Sequence, residues 1–216
     1  MGPGFGMFLK RLHRMTARNL FADIKSLESR LLLPKGFYRH LLDEDDWSFV
    51  IKLNALFEAA CTHALVARLV APALTDPLAN LDHANTKSGK VVMLQSLGAI
   101  TADQSGILQR LAELRNRLVH NVSNVGFAFN EHVASMDKNQ SKAFVKVFGH
   151  GISDSVPAKG KTVSRAEFVL HNPKLAIWLT AAEVLAYLYL EFELAELSRR
   201  STELEGYEKL AGRFGR

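Results

Sequence analysis

Residues Leu114 to Asn121 read Leu-Arg-Asn-Arg-Leu-Val-His-Asn, which puts an arginine, an amide and a histidine within about one and a half turns of helix. A guanidinium keeps its charge at every physiological pH and forks around phosphate oxygens, while an imidazole titrates near neutrality. Held over one phosphodiester, Arg115 and His120 could bind and cleave it without a metal. Projected at about 100° per residue, Arg115 falls at the edge of an apolar stripe, whereas Asn116 and His120 share the polar face. On a continuous helix Arg115 and His120 diverge by about 140°. They meet if the helix ends near Val119, or if two copies of the site face each other across a dimer. A plainer reading is a helix terminus, with Arg115 lying along the core edge and His120 at the negative end of the helix dipole.

The positioning helix has a clear start. Thr101-Ala102-Asp103-Gln104 fits a capping box, and Ile107, Leu111, Leu114 and Leu118 then form one apolar stripe. Glu113 stands four residues before Arg117, a spacing that favours an ion pair on the solvent side. Upstream, Asp43 to Asp46 place negative charge where a helix begins, and a long apolar helix is predicted from about Trp47 to Ala71. Ala71-Pro72 and Asp76-Pro77 mark its end and a loop. A short helix over Ser88 to Leu97 stops at Gly98. A further helix is expected between Asn130 and Phe148, and Gly149 to Ser164 reads as a loop. The last long helix opens at His171-Asn172-Pro173, with Asn172 as N-cap and Pro173 in the first turn, and runs to about Arg200. No repeat and no strand alternation stand out, so the predicted class is all-α, a helical bundle. The expected organisation is a basic helical extension over residues 1–44, a helical domain over 45–200 and a tail over 201–216.

Composition narrows the setting. The 216 residues carry a formal charge of +5, with 48% hydrophobic and 23% charged residues, an ordinary balance for a globular chain that suits an anionic partner. Cys61 is the single cysteine, which excludes an internal disulfide and points to a reducing compartment. Phe8 to Phe21 is interrupted by Lys10, Arg11, Arg14 and Arg18, unlike a secretory signal. Phe49 to Ala71 contains Lys52, Glu58 and Arg68, and Leu175 to Leu190 contains Glu183. Neither offers about 20 charge-free residues, so both read as buried core helices. A cytoplasmic protein without a membrane partner is expected.

With these residues in view, the Arg115-Asn116…His120 element resembles the Arg-polar-x-x-x-His signature of the HEPN superfamily of α-helical domains. The wider stretch is similar to its mannitol operon repressor branch. It shares a long apolar helix, a short basic helix ending Leu97-Gly98-Ala99-Ile100-Thr101, the motif helix, the segment Gly126-Phe127-Ala128-Phe129-Asn130 and a long final helix. The match spans roughly residues 45–200. It implies a homodimer with motif helices near the two-fold axis and, in many members, a metal-independent endoribonuclease acting as a toxin or defence effector. On that resemblance Arg115 would hold the scissile phosphate, His120 would act as general acid or base, and Asn116 would orient Arg115 or the phosphate. Arg117, Asn121 and Lys90 would contact substrate. RNA and a cognate antitoxin or regulatory protein are the implied partners, and no cofactor is implied. The mannitol repressor branch is associated with transcriptional regulation, which makes a non-catalytic interaction module the alternative.

Other constellations rank lower. The eight histidines include no i, i+4 pair and no carboxylate at zinc spacing, so no metal site is expected. Gly160-Lys161-Thr162 resembles the end of a phosphate-binding loop, but Ser155 stands where the first glycine belongs and no strand is predicted before it. Glu58 is either a buried, hydrogen-bonded carboxylate near the motif or a solvent-facing one. The basic N-terminal helix, with Phe8, Leu9, Leu12, Met15 and Leu20, could pack, touch RNA or lie on a membrane surface.

Overall fold

In a computed structural model, described over residues 20–158 and 161–214, the fold is all-α, with ten α-helices and one two-stranded sheet among those residues. The basic N-terminal segment before Leu20 lies outside the described residues. Two compact units emerge. One combines the described residues up to Asp45 with Ala128–Ala186, and the other combines Asp46–Phe127 with residues from Tyr187 onward. The segment read in sequence as one domain, 45–200, therefore contributes to both.

The second unit holds the motif. Its spine is α3 (Asp46–Leu69), which packs against α4 (Thr75–Ala79), α5 (Lys90–Ser96) and α6 (Ala102–Val119). Phe49, Leu53, Phe57, Cys61 and Leu65 of α3 are fully buried. The loop expected after Ala71 is instead a 3-10 turn, Pro72–Leu74, followed by α4. Both prolines fall in first turns, where a missing N–H leaves no bond unmade. Helix α5 ends as predicted at Gly98, whose φ of 68° is the left-handed cap. From α10, Glu191 meets Arg68 Nη1 at 3.8 Å, and Arg68 Nη2 donates to Leu97 O at 3.2 Å.

The first unit contains α1 (residues 20–30), α2 (Phe37–His40), α7 (Phe129–Ala134), α8 (Lys138–Phe148), α9 (Arg165–His171) and the opening turns of α10 (Pro173–Phe214). The single helix expected between Asn130 and Phe148 is split, because Asp137 accepts from the backbone N–H of Asn139 and Gln140 and starts α8 afresh. The expected loop up to Ser164 contains an antiparallel hairpin, β1 (Ser155–Ala158) with β2 (Lys161–Ser164). Lys161-Thr162 thus lies in a strand and not at a helix start, so the phosphate-loop reading fails for a second reason. Asn172 accepts from Ala176 N at its carbonyl, as an N-cap does, but its side-chain amide donates back to Phe168 O of α9. Helix α10 does not stop near Arg200 and continues to Phe214. Two helical stretches, Asp46–Leu69 and Pro173–Glu208, are long and apolar enough to cross a bilayer, and 61% of each apolar window is buried within the protein.

Candidate functional site at the end of helix α6

Helix α6 begins on the predicted capping box. Thr101 Oγ1 accepts from Gln104 N at 3.2 Å and Gln104 Oε1 accepts from Thr101 N at 2.9 Å. Its stripe, Ile107, Leu111, Leu114 and Leu118, is buried, which fixes the rotation of the helix and turns Asn116, Arg117 and His120 to solvent. Glu113 pairs with Arg110 at 2.8 Å and not with Arg117. Both spacings bring helix neighbours together, and the choice of Arg110 leaves the Arg117 guanidinium without an ion-pair partner among the described residues.

The structure unites some of the predicted site and not the rest. Arg115 is half-buried, and its Nη1 donates to Asn116 Oδ1 at 3.0 Å. Helix α6 ends at Val119, as convergence of Arg115 and His120 within one chain demanded. Yet His120 retains right-handed helical angles, φ −73° and ψ −14°, and its N–H still reaches Asn116 O at 3.3 Å. The chain leaves the helical path only at Asn121, with φ −139° and ψ 120°. His120 therefore keeps its helical projection, about 140° from Arg115 and about 60° from Arg117. Ending near Val119 does not by itself bring Arg115 to His120. The exposed group formed within one chain is Asn116, Arg117 and His120.

Asn121 serves the turn itself. Its Oδ1 accepts from Ser123 N at 3.0 Å and opens the 3-10 turn Val122–Gly126, while Asn124 Nδ2 donates to Arg117 O at 2.8 Å. Sequence reasoning passed over Asn124. The Asn-x-Ser-Asn spacing, in which two short amides can cap adjacent backbone groups, was the available signal. Beside the motif, this turn presents Val122 at 87% and Val125 at 56% exposure.

Lys90 is a correction. Expected as a substrate contact, it is fully buried, and its Nζ donates to Ala79 O at 2.9 Å and lies 3.5 Å from Glu58 Oε1. As the first residue of α5, it follows Gly89 into the contact with α3, where a carbonyl and a carboxylate satisfy the ammonium. Glu58 thus falls between its two readings: its side chain is 40% exposed, yet tied to a buried cation. Nearby, His83 is buried with both ring nitrogens lacking hydrogen-bond partners, and burial pushes its pKa down to about 4. Burial likewise pushes the Cys61 thiol up to about 12, so this cysteine is no ready nucleophile. No three His, Cys, Asp or Glu side chains among the described residues are grouped to hold a metal ion.

Comparison with protein-family models, with curated proteins and with solved structures gives no significant match.

Proposed function

We propose that this chain is a HEPN-type RNA-binding protein that cleaves RNA without metal, in a site completed by a second copy of itself. The observation that carries this reading is the open end of α6, where Asn116 holds the Arg115 guanidinium and His120 stands exposed as the terminal helical residue. The cations Arg115 and Arg117 would neutralise the phosphate, and the charge that grows on it in the transition state is what such fixed donors stabilise. The imidazole of His120 would accept the ribose 2′-OH proton as the 2′-oxygen bonds to phosphorus and the 5′-oxygen departs. That oxygen would take its proton from solvent, and the His120 imidazolium would release its own to solvent in turn. The products would be a 2′,3′-cyclic phosphate and a 5′-hydroxyl. The demand for a second copy follows from the angle of about 140° between Arg115 and His120 on one helix.

The test is incubation of the purified protein with single-stranded and structured RNA in chelator, with product ends read by mass spectrometry. Cleavage that yields cyclic phosphate and disappears in His120→Ala supports the reading. Equal cleavage by the variant overturns it.

A second reading is a non-catalytic regulator that uses the same helix end to bind a protein. The exposed Val122 and Val125 beside the motif favour it. In that case RNA stays intact with either protein, and Val122→Asp weakens partner binding.

A further inference from the structure

In the first unit, α1, the turn after it, α2 and Trp178 of α10 line a half-open cavity of about 500 Å³, within the ~300–1,000 Å³ of small-molecule sites. Its wall is locked before any ligand arrives. Glu28, 5% exposed, accepts from the backbone N–H of Tyr38 at 2.7 Å and of Gly36 at 3.1 Å. Trp178 Nε1 donates to Tyr38 O at 3.0 Å, and the Tyr38 hydroxyl donates back to Trp178 O. The indole stacks on Tyr38 at 5.0 Å and on Phe21 at 5.5 Å between ring centroids. Phe21, at the end of this stack, is 55% exposed.

The charges at the mouth are one-sided. Lys25, Lys35 and Arg39 are exposed members of the lining, and none has an ion-pair partner among the described residues. The one carboxylate among the lining residues, Glu28, already answers two backbone donors. The cavity therefore joins an apolar interior to an excess of positive charge, a combination that discriminates among ligands by charge as well as by burial.

We propose that this cavity binds a small amphipathic carboxylate, with its apolar body against Phe21, Ile24 and Trp178 and its head group between Lys35 and Arg39. The site is separate from the Arg115 motif and does not depend on the function proposed for it. The test is calorimetric titration of the full chain with decanoate and with decylammonium, both below their micellar concentrations. A single saturable decanoate site is expected, with decylammonium at least tenfold weaker. Both Phe21→Ser and Lys35→Glu/Arg39→Glu should weaken decanoate at least tenfold, with helicity unchanged by circular dichroism. Equal affinity for the two amphiphiles, unaltered binding by the folded variants, or no decanoate binding at millimolar concentration overturns the proposal. So does co-sedimentation with phosphatidylglycerol vesicles in the absence of free decanoate binding, which would identify a membrane surface as the ligand.

Discussion

Asn116 and His83 show how differently two polar side chains can be used in one unit. Asn116 spends its carbonyl oxygen on the neighbouring Arg115 guanidinium in the open, at 3.0 Å. Its loss should disturb geometry and not folding. We expect Asn116→Ala to lower RNA cleavage by about 10- to 100-fold, the scale of a misplaced reacting group, while the denaturation midpoint stays within about 0.5 kcal/mol of the parent. His83 is the opposite case, buried with both ring nitrogens lacking hydrogen-bond partners, and burial lowers its pKa to about 4. Its unfolded value is about 6.5, so between these values the unfolded chain binds more protons than the folded one. The stability associated with the neutral ring is intact above about pH 6.5 and is lost as pH falls toward 4. The loss attributable to this one group is at most about 3 kcal/mol by linkage. Urea denaturation at pH 7.5 and 4.5 should show a smaller acid-induced loss in His83→Gln than in the parent. An identical loss in both would rule the imidazole out as the source. The contact of Asn116 with Arg115 was legible in the motif, whereas the burial of His83 depends on how its loop packs in the folded unit.

At the scale of elements, the α6 start and the α5 start carry the clearest consequences. The Thr101 capping box satisfies two backbone donors at the head of the helix that presents the motif. Thr101→Ala should destabilise the protein by about 1 kcal/mol, read as a lower urea midpoint. At Gly89 the constraint is steric: an added Cβ would lie 2.6 Å from both Asn85 N and Asn85 O. These are backbone atoms pinned by the Asp82 and Asn85 side-chain turns, so they cannot yield cheaply. Gly89→Ala should cost about 1–3 kcal/mol by overpacking and lower the thermal midpoint. The capping box could be read directly from Thr101 and Gln104, because it is a contact between near neighbours. Lys90 could not. The resemblance put it among the substrate contacts, and only the docking of α5 on α3 turned it inward toward Ala79 and Glu58. The β1–β2 hairpin escaped notice for a related reason: four residues per strand is too short for alternation to register.

At the scale of the whole molecule, a site shared between two copies has a distinctive signature. If Arg115 of one copy works with His120 of the other, mixing Arg115→Ala with His120→Ala regenerates one intact site in every mixed pair. Random pairing of equal amounts then restores about a quarter of the parental activity, whereas a site within one chain stays inactive. Measuring cleavage across a titration of the two variants separates these cases. The all-α class, the apolar spine over α3, the α6 stripe, the exposed Asn116 and His120 and their angular separation from Arg115 at the core edge were all legible in sequence alone, since helical periodicity and capping depend on residues within a turn or two of each other. Tertiary structure alone decided that Lys90 is sealed in, that His83 is held neutral, and that Trp178 and Tyr38 form one wall of a cavity across 140 residues of chain. Each of these depends on which distant surfaces pack together, and so on desolvation and steric contact that no local spacing encodes.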